Sequence, residues 1–297
     1  MTALAAVVDV GSNSVRLLLF ERMAPDGAVG QRVVTVTGLG RGAAPNGAVS
    51  SEALKRLDAC LASYAERITG AGGPPVVAVG TAAVREAPNR DAIAAVVRQR
   101  LATELVVVPG EREAALAFAG ARLALPPGAG PCRVIDIGGA STEVVEGDAS
   151  GPRSLVSLPL GVVRQAGRTP EAARREAERL VRAGAGGFAT AGPVVGVAGT
   201  VTQVAAIHAG EYDPEVIHRM GLTRADIQSV LDRVNPLADA ARRAVPGMHP
   251  DRTDVIVNGA AILLGVLDGL GADAVIVSER DLLDGICLDP ALVAPAA

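Results

Sequence analysis

Along the chain, short apolar runs alternate with stretches in which apolar residues recur at spacings of three and four. The first pattern predicts strands and the second helices, because side chains repeat every two residues on a strand and about every 3.6 on a helix. Ala5–Val10, Val15–Phe20 and Arg32–Thr37 read as three successive strands. Over 51–69, Leu54, Leu57, Leu61, Tyr64 and Ile68 share one helical face, with Ser50 or Ser51 as the cap. A buried strand at Val76–Val79 follows. Next come a helix capped by Asn89 and running through Leu101, a strand at Leu105–Val108 and a helix over Glu111–Ala124.

The pattern then restarts. Strands are expected at Arg133–Ile137 and Thr142–Glu146. Thr169-Pro170-Glu171 supplies a cap, a proline for the first helical position and an acid for the first turn. A strand at Val194–Val197, a helix from Thr223, a long apolar helix over Val255–Leu270 and a strand at Ala274–Val277 complete the series. The restart is visible in the residues themselves. Val7-Val8-Asp9-Val10-Gly11-Ser12-Asn13-Ser14 resembles Val134-Ile135-Asp136-Ile137-Gly138-Gly139-Ala140-Ser141, at an offset of 127. Val76-Val77-Ala78-Val79-Gly80-Thr81 resembles Val195-Gly196-Val197-Ala198-Gly199-Thr200, at an offset of 119. Two matches in the same order predict a duplicated α/β unit. One domain is expected over 1–124 and a second over 125–282, joined at Leu125-Pro126-Pro127-Gly128, with a tail from about 283 to 297 packing back on the first.

Composition narrows what such a fold does. With 297 residues, 49% of them hydrophobic and 20% charged, the chain can bury two cores. It has three Phe, two Tyr and no Trp, so a stacking platform for single-stranded nucleic acid is not expected; nor, at a net charge of −4, is any nucleic-acid partner. Lys55 is the only lysine, which excludes a lysine-dependent P-loop. Cys60, Cys132 and Cys287 stand far apart, against a zinc site or a disulfide framework. The apolar start lacks a basic flank and runs into Asp9, so it reads as a strand rather than a signal peptide. No run of about 20 apolar residues exists to cross a membrane, and a soluble, cytoplasmic protein is expected.

The duplicated loops carry the candidate chemistry. In each, an apolar strand ends in Asp and turns through Gly and Ser. Glycine lets backbone approach a ligand closely, and consecutive N–H groups form an anion nest. Ser12, Ser14, Ser141 and Thr142 add hydroxyl donors, and Asp9, Asp136 and Glu143 can hold Mg²⁺ through waters. The plainer reading makes both loops tight hairpin turns, with the aspartates capping local N–H groups. Glu113 alone would be a solvated acid in the first turn of a helix. Ser14 as a nucleophile finds no support, because His208, His218 and His249 form no triad spacing.

Asp9-Val-Gly-Ser-Asn-Ser-Val-Arg16, Gly80-Thr-Ala-Ala-Val-Arg-Glu-Ala-Pro-Asn89, Gly110-Glu-Arg-Glu-Ala114 and Asp136-Ile-Gly-Gly-Ala-Ser-Thr-Glu143 occur in that order. Leu160-Gly161-Val-Val-Arg164, Gly199-Thr200, Pro246-Gly247-Met248 and Ser278–Gly285 continue the series. Together they resemble the exopolyphosphatase / guanosine pentaphosphate phosphohydrolase (Ppx/GppA) family of the actin-like ATPase superfamily. The resemblance implies an α/β fold of two duplicated actin-like (ribonuclease H-like) domains with a phosphate-binding cleft between them. It implies Glu113 as the catalytic base, and phosphate binding by Gly11, Ser12, Asn13, Ser14, Arg85, Gly138, Gly139, Ala140, Ser141, Thr142 and Arg252. Asp136, Glu143 and Asp9 would hold Mg²⁺, or Mn²⁺ in its place. Arg85 also reads as half of a surface ion pair, Arg16 as a structural pair, and Arg164 with Arg252 as a basic track. The implied activity is Mg²⁺-dependent release of terminal orthophosphate from inorganic polyphosphate, with guanosine pentaphosphate as the alternative substrate and a homodimer as the implied assembly. An actin-like kinase with a nucleotide pocket near Gly199-Thr200 and an idle polyphosphate or alarmone sensor are the remaining alternatives. Two departures stand out: Arg112 where the family carries the first of two acids, and Ala140 in place of a third glycine. The extra helical domain of longer relatives is not expected here.

Overall fold

The computed structural model describes residues 4–24, 27–40, 47–188 and 192–293. Its first half runs β1 (Ala5–Val10), β2 (Ser14–Ala24), β3 (Gly27–Val36), α1 (Ser51–Gly70), β4 (Val76–Gly80), α2 (Ala82–Glu86), α3 (Arg90–Leu101), β5 (Leu105–Val107) and α4 (Gly110–Ala121). Its second half runs β6 (Cys132–Ile137), β7 (Thr142–Asp148), β8 (Gly151–Leu158), α5 (Pro170–Ala185), β9 (Val194–Val197), α6 (Ala198–Ala209), α7 (Pro214–Ile217) and β10 (Gly221–Thr223). It ends with α8 (Arg224–Val234), α9 (Asp239–Arg243), α10 (Ile256–Leu270), β11 (Ala274–Val277) and α11 (Leu282–Leu288). No helix among the described residues is long and apolar enough to cross a membrane.

The two sheets have matching strand orders: β3-β2-β1-β4-β5, and β8-β7-β6-β9-β11 with β10 added at the edge. In each, two antiparallel ladders build the opening meander, and the strand after the first long helix adds parallel to the first strand. The repeats seen in the sequence fall at equivalent places. The Thr81 hydroxyl reaches Val10 O at 3.4 Å, and the Thr200 hydroxyl donates to Ile137 O at 2.8 Å, with Val10 and Ile137 closing the twin strands. The match is not residue for residue. Asp9 pairs with Val79 and Asp136 with Val197, so the ladder offset is one less than the sequence offset of the Gly-Thr turns. The extra residue is absorbed at Ala198, whose φ of 65° lies in the left-handed region.

Period-two burial assigns the faces. Ala6, Val8, Val10, Val15, Leu17 and Leu19 meet Leu57, Leu61 and Tyr64 of α1 and Ile93 and Val97 of α3. Ala5, Val7, Leu18 and Phe20 point the other way, onto Leu282, Leu283 and Ile286 of α11. In the second half α5, α6, α8 and α10 cover the outer face, and α4 lays Ala114, Phe118 and Ala121 on Val134, Val145, Val195 and Val197 of the inner face. The helix that ends each half therefore lies between the two sheets, and it packs on the opposite sheet. Several expectations needed adjustment. Ser50 is the cap of α1, accepting from Ala53 N. Asn89 does not cap α3, because its amide exchanges two hydrogen bonds with the backbone of Val49. The strand β8 and the short elements α2, α7, α9 and β10 had no periodic signal long enough to read. Positions 294–297 of the expected C-terminal tail lie outside the described residues.

Helices α4 and α11 cross at glycines. A Cβ at Gly120 would land on Asp281 O, and one at Gly285 on Leu116 O, so the contact is backbone to backbone. Gly120→Ala and Gly285→Ala are each expected to destabilise the protein by about 1–3 kcal/mol, the usual range for overpacking. Gly70→Ala, where nothing lies within 4 Å of the new methyl, should change stability by less than about 0.5 kcal/mol. Urea titration of the three variants checks this; a Gly120→Ala protein as stable as the Gly70→Ala control would show that the crossing is not tight.

Candidate active site

The hairpins β1–β2 and β6–β7 are built alike. Gly11 N donates to Ser14 O at 3.1 Å, and Gly138 N to Ser141 O at 3.0 Å. They meet tip to tip: a Cβ at Gly139 would come within 2.8 Å of Ser12 Cβ and 3.2 Å of Asn13 N. Where they meet, a cleft of about 90 Å³ opens between the halves. Gly11, Ser12, Asn13, Ser14, Gly138, Gly139, Ala140, Ser141 and Arg252 line it, together with Asp9, Glu113, Asp136 and Glu143. No histidine is among the lining residues, so Ser14 has no imidazole partner there.

The twin hairpins differ in one charge. On both ladders the strand-end aspartate faces the residue seven positions on: Asp9 faces Arg16, and Asp136 faces Glu143. Arg16 donates to Asp9 Oδ2 through Nε at 2.9 Å and Nη2 at 2.7 Å. Its Nη1 binds Asp281. Asp9 Oδ1 is buried and has no hydrogen-bond partner. The second hairpin instead sets two carboxylates side by side, and α4 adds a third. Glu113, in the first turn of α4 and only 9% exposed, accepts from Arg85 Nη1 at 2.8 Å, while Arg85 also binds Val108 O at 2.9 Å. Glu143 accepts from the Ser157 hydroxyl at 2.7 Å.

This crowding shows in the acidities. Burial, then the Glu143 charge, pushes the Glu113 carboxyl up to about 7 against the pull of Arg85. Burial raises Asp136 to about 7 although Arg16 opposes it, and burial followed by the Asp136 charge raises Glu143 to about 7. Burial raises Asp9 too, despite its arginine. Like-charged carboxylates in a low-dielectric cleft cannot all ionise unless positive charge is supplied. Among the described residues no three acids, histidines or cysteines converge closely enough to enclose a metal ion by themselves. That suits Mg²⁺, which keeps most of its waters and takes one or two carboxylates plus substrate phosphate oxygens. Asp136 and Glu143, cross-strand neighbours, are carboxylates of the kind such an ion takes.

Two predicted phosphate ligands are placed differently. Thr142 is fully buried, and its hydroxyl donates to Leu160 O at 2.6 Å. It holds the inward-facing slot that Val15 fills in the first hairpin, so it cannot also reach a ligand in the cleft. Arg85 lies behind Glu113, off the cleft wall, with its guanidinium on that carboxylate and on Val108 O. Arg164 stays outside, bridging Ala140 O and Glu86 across the halves. Arg252 does face the cleft, its Nη2 3.5 Å from the Ser14 hydroxyl. It lies flat over Gly199, where any side chain would run into its guanidinium. Arg16 forms the structural pair expected of it, with Asp9. Sequence reading missed three participants. Thr81 and Thr200 were signalled by the second repeat. Ser157, on an unread strand, had no signal.

A family model described as the Ppx/GppA phosphatase family matches residues 29–293. The chain is similar to exopolyphosphatase 2 of Mycobacterium tuberculosis, at 33% identity over 95% of this chain and 97% of that protein. It is also similar to the guanosine-5'-triphosphate,3'-diphosphate pyrophosphatase of Vibrio atlanticus, at 29% identity over 96% of this chain but 59% of that longer protein. Among solved structures, the Aquifex aeolicus member of the Ppx/GppA family aligns with a TM-score of 0.78 at 25% identity, covering 99% of both chains. The duplicated sheets are thus those of the two-domain actin-like fold.

The raised acidities set a pH dependence for the metal-free protein. A carboxyl whose folded pKa lies above its unfolded value stabilises the fold below the unfolded pKa and loses that contribution as pH rises through the folded one. With Glu113, Asp136 and Glu143 all near 7, metal-free stability should fall as pH rises from about 5 to about 8. Mg²⁺ should raise the melting temperature more at pH 8 than at pH 5.5, conditions on either side of the value of about 7 at which these folded acids lose protons. Thermal melts with and without Mg²⁺ measure both trends. A metal-free profile that rises with pH would contradict the crowding.

Proposed function

The chain belongs to the Ppx/GppA phosphatase family, and from that premise we propose that it is an exopolyphosphatase, a phosphoanhydride hydrolase that releases terminal orthophosphate from linear polyphosphate. The observation carrying the proposal is the meeting of the two Gly-Ser hairpins beside the carboxylates of Glu113, Asp136 and Glu143, the first of them on a separate helix. Hydrolysis of a phosphoanhydride depends on positioning and charge neutralisation more than on covalent chemistry. The backbone N–H groups of Gly11–Ser14 and Gly138–Ser141, the hydroxyls of Ser12, Ser14 and Ser141, and Arg252 hold the terminal phosphates. Asp136 and Glu143, with Asp9, hold Mg²⁺ or Mn²⁺, which when bound offsets the charge of the phosphate oxygens. Glu113 takes the proton as water oxygen bonds to the terminal phosphorus. The bridging P–O bond breaks, its electron pair stays on the shortened chain, and orthophosphate leaves. A carboxyl near 7 is balanced between holding and giving up a proton at neutral pH, as a general base requires. Arg85, gripping both Glu113 and Val108 O, fixes where that base points.

The same reading divides the domains at about residue 124, with the segment from about 283 returning to the first domain. It has the protein working in the cytoplasm as a homodimer. Guanosine pentaphosphate is the second substrate, favoured by the likeness to the Vibrio enzyme over 96% of this chain. Polyphosphate leads because the Mycobacterium exopolyphosphatase is matched over almost its whole length.

Glu113→Gln should lower kcat for orthophosphate release from polyphosphate by about 10²–10⁴, with KM changed only a few-fold. Gly199→Ala, which displaces Arg252, should instead raise KM several-fold, because it removes a contact made equally in ground and transition states. Steady-state phosphate release from short and long polyphosphate and from guanosine pentaphosphate, run in parallel, tests both. No release from any of the three by the wild type would sink the hydrolase reading, and a fully active Glu113→Gln would remove the base.

A further inference from the structure

We infer that Asp281, the N-cap residue of α11, is a positioning residue for this site, acting through Arg16 on Asp9. Its kinetic consequence rests on the hydrolase reading above; its binding consequence does not.

Arginine and carboxylate usually pair as two forks, one N–H to each oxygen. Arg16 does otherwise. Its Nε and Nη2 both fall on Asp9 Oδ2, at 2.9 and 2.7 Å, and Asp9 Oδ1 is left buried with no partner. The far edge of the guanidinium accounts for this, because Nη1 is taken by Asp281 Oδ2. Clamped at both edges, Arg16 cannot turn to cover the second oxygen of Asp9. Nor can it swing onto Asp136, whose charge it also feels. One Asp9 oxygen is thus saturated, and the other is kept for a ligand of the cleft that both residues line.

Asp281 is itself rigidly seated. Its Oδ1 caps α11 by accepting from Leu283 N at 2.8 Å, and its own N–H donates to Asp284 Oδ2 at 3.0 Å. Asp284, fully buried, accepts through Oδ1 from Ala28 N at 2.8 Å and Arg32 Nη2 at 2.7 Å. The orientation of a charged group in the first hairpin is therefore set from the last helix of the chain. Without the Asp281 charge, Arg16 is free to fork onto both oxygens of Asp9 or onto Asp136, and a cation must then compete with a guanidinium.

Asp281→Asn separates this role from capping. Asparagine caps helices as well as aspartate does, so α11 keeps its start while Arg16 loses its anion. The readout is Mg²⁺ binding to the full-length protein without substrate, by calorimetry, together with the melting temperature. Mg²⁺ affinity should weaken about tenfold, as for other residues that orient metal ligands. The metal-free melting temperature should stay within about 2 °C of wild type. In turnover, half-saturation by Mg²⁺ should shift by the same factor, while kcat at saturating Mg²⁺ recovers to within about threefold and KM for polyphosphate holds. Asp281→Ser, which also caps, should behave alike. Unchanged Mg²⁺ affinity in a folded Asp281→Asn or Asp281→Ser protein overturns the inference, and so does a loss of activity that saturating Mg²⁺ does not restore. Wild type that binds Mg²⁺ yet releases no phosphate defeats the hydrolase reading and leaves the binding comparison valid.

Discussion

Mutual repulsion among Glu113, Asp136 and Glu143, three crowded carboxylates with each raised toward neutrality, is the constraint around which the cleft is organised. An isolated fold would not choose it. Buried acids weaken a structure unless partnered, and the partners present are few: Arg85 on Glu113, Ser157 on Glu143, and Arg16 acting on Asp136 across the hairpins. The remaining deficit of positive charge leaves the cluster short of a compensating cation. The carboxylates stay in place because their backbones belong to ladders and to a helix whose opposite faces are committed to apolar packing. Asp136 and Glu143 sit on paired strands, and Glu113 shares α4 with Ala114 and Phe118, which are locked against the second sheet.

Duplication explains how one fold supplies both halves of such a site. Each unit gives the same hairpin, the same strand-end aspartate and the same threonine hydroxyl on the last strand carbonyl. Function enters where the copies differ. Arginine at position 16 neutralises the first aspartate, and glutamate at position 143 compounds the charge of the second. One hairpin is therefore close to charge-balanced and the other strongly anionic. The first then contributes chiefly donors and the second chiefly metal-seeking oxygens.

The features legible in the sequence were those set locally. Apolar runs located most of the central strands, Thr169 and Thr223 announced helix starts, and an eight-residue and a six-residue match exposed the duplication. The cleft-lining loops could be named because glycine and serine at a strand end have few other uses. What stayed hidden depends on long-range packing. Thr142 looked like another hydroxyl of the loop, yet the pleat turns it inward, a result available only by aligning it with Val15. Arg85 read as a phosphate ligand because nothing local says that α4 will bring Glu113 within 2.8 Å of it. Asn89 read as a cap, but a loop 40 residues away claims its amide. Asp281 stands 265 residues from Arg16, beyond the reach of any spacing argument.

The exchange of α4 and α11 between sheets has a mechanical consequence. Through Ala114, Phe118 and Ala121, α4 packs on the second sheet beside Asp136 and Glu143, while its Leu116 and Ala117 also meet the first. Through Leu282, Leu283 and Ile286, α11 travels with the first sheet, so Asp281, Arg16 and Asp9 form the other rigid set. The glycine crossing, backbone on backbone, is the place where the two sets bear on one another. Side-chain contacts between the two sets include Arg85 to Glu113, Arg112 to Asp289, Arg164 to Glu86 and Arg252 to Ser14. Closing a two-lobed cleft changes only groups that lie on opposite sides of it. The acid cluster is therefore preassembled on one side. A motion of one half against the other would act on the arginine grip on Glu113 and on the meeting of the two hairpin tips, and would leave the pairing of Asp136 with Glu143 on their own ladder untouched.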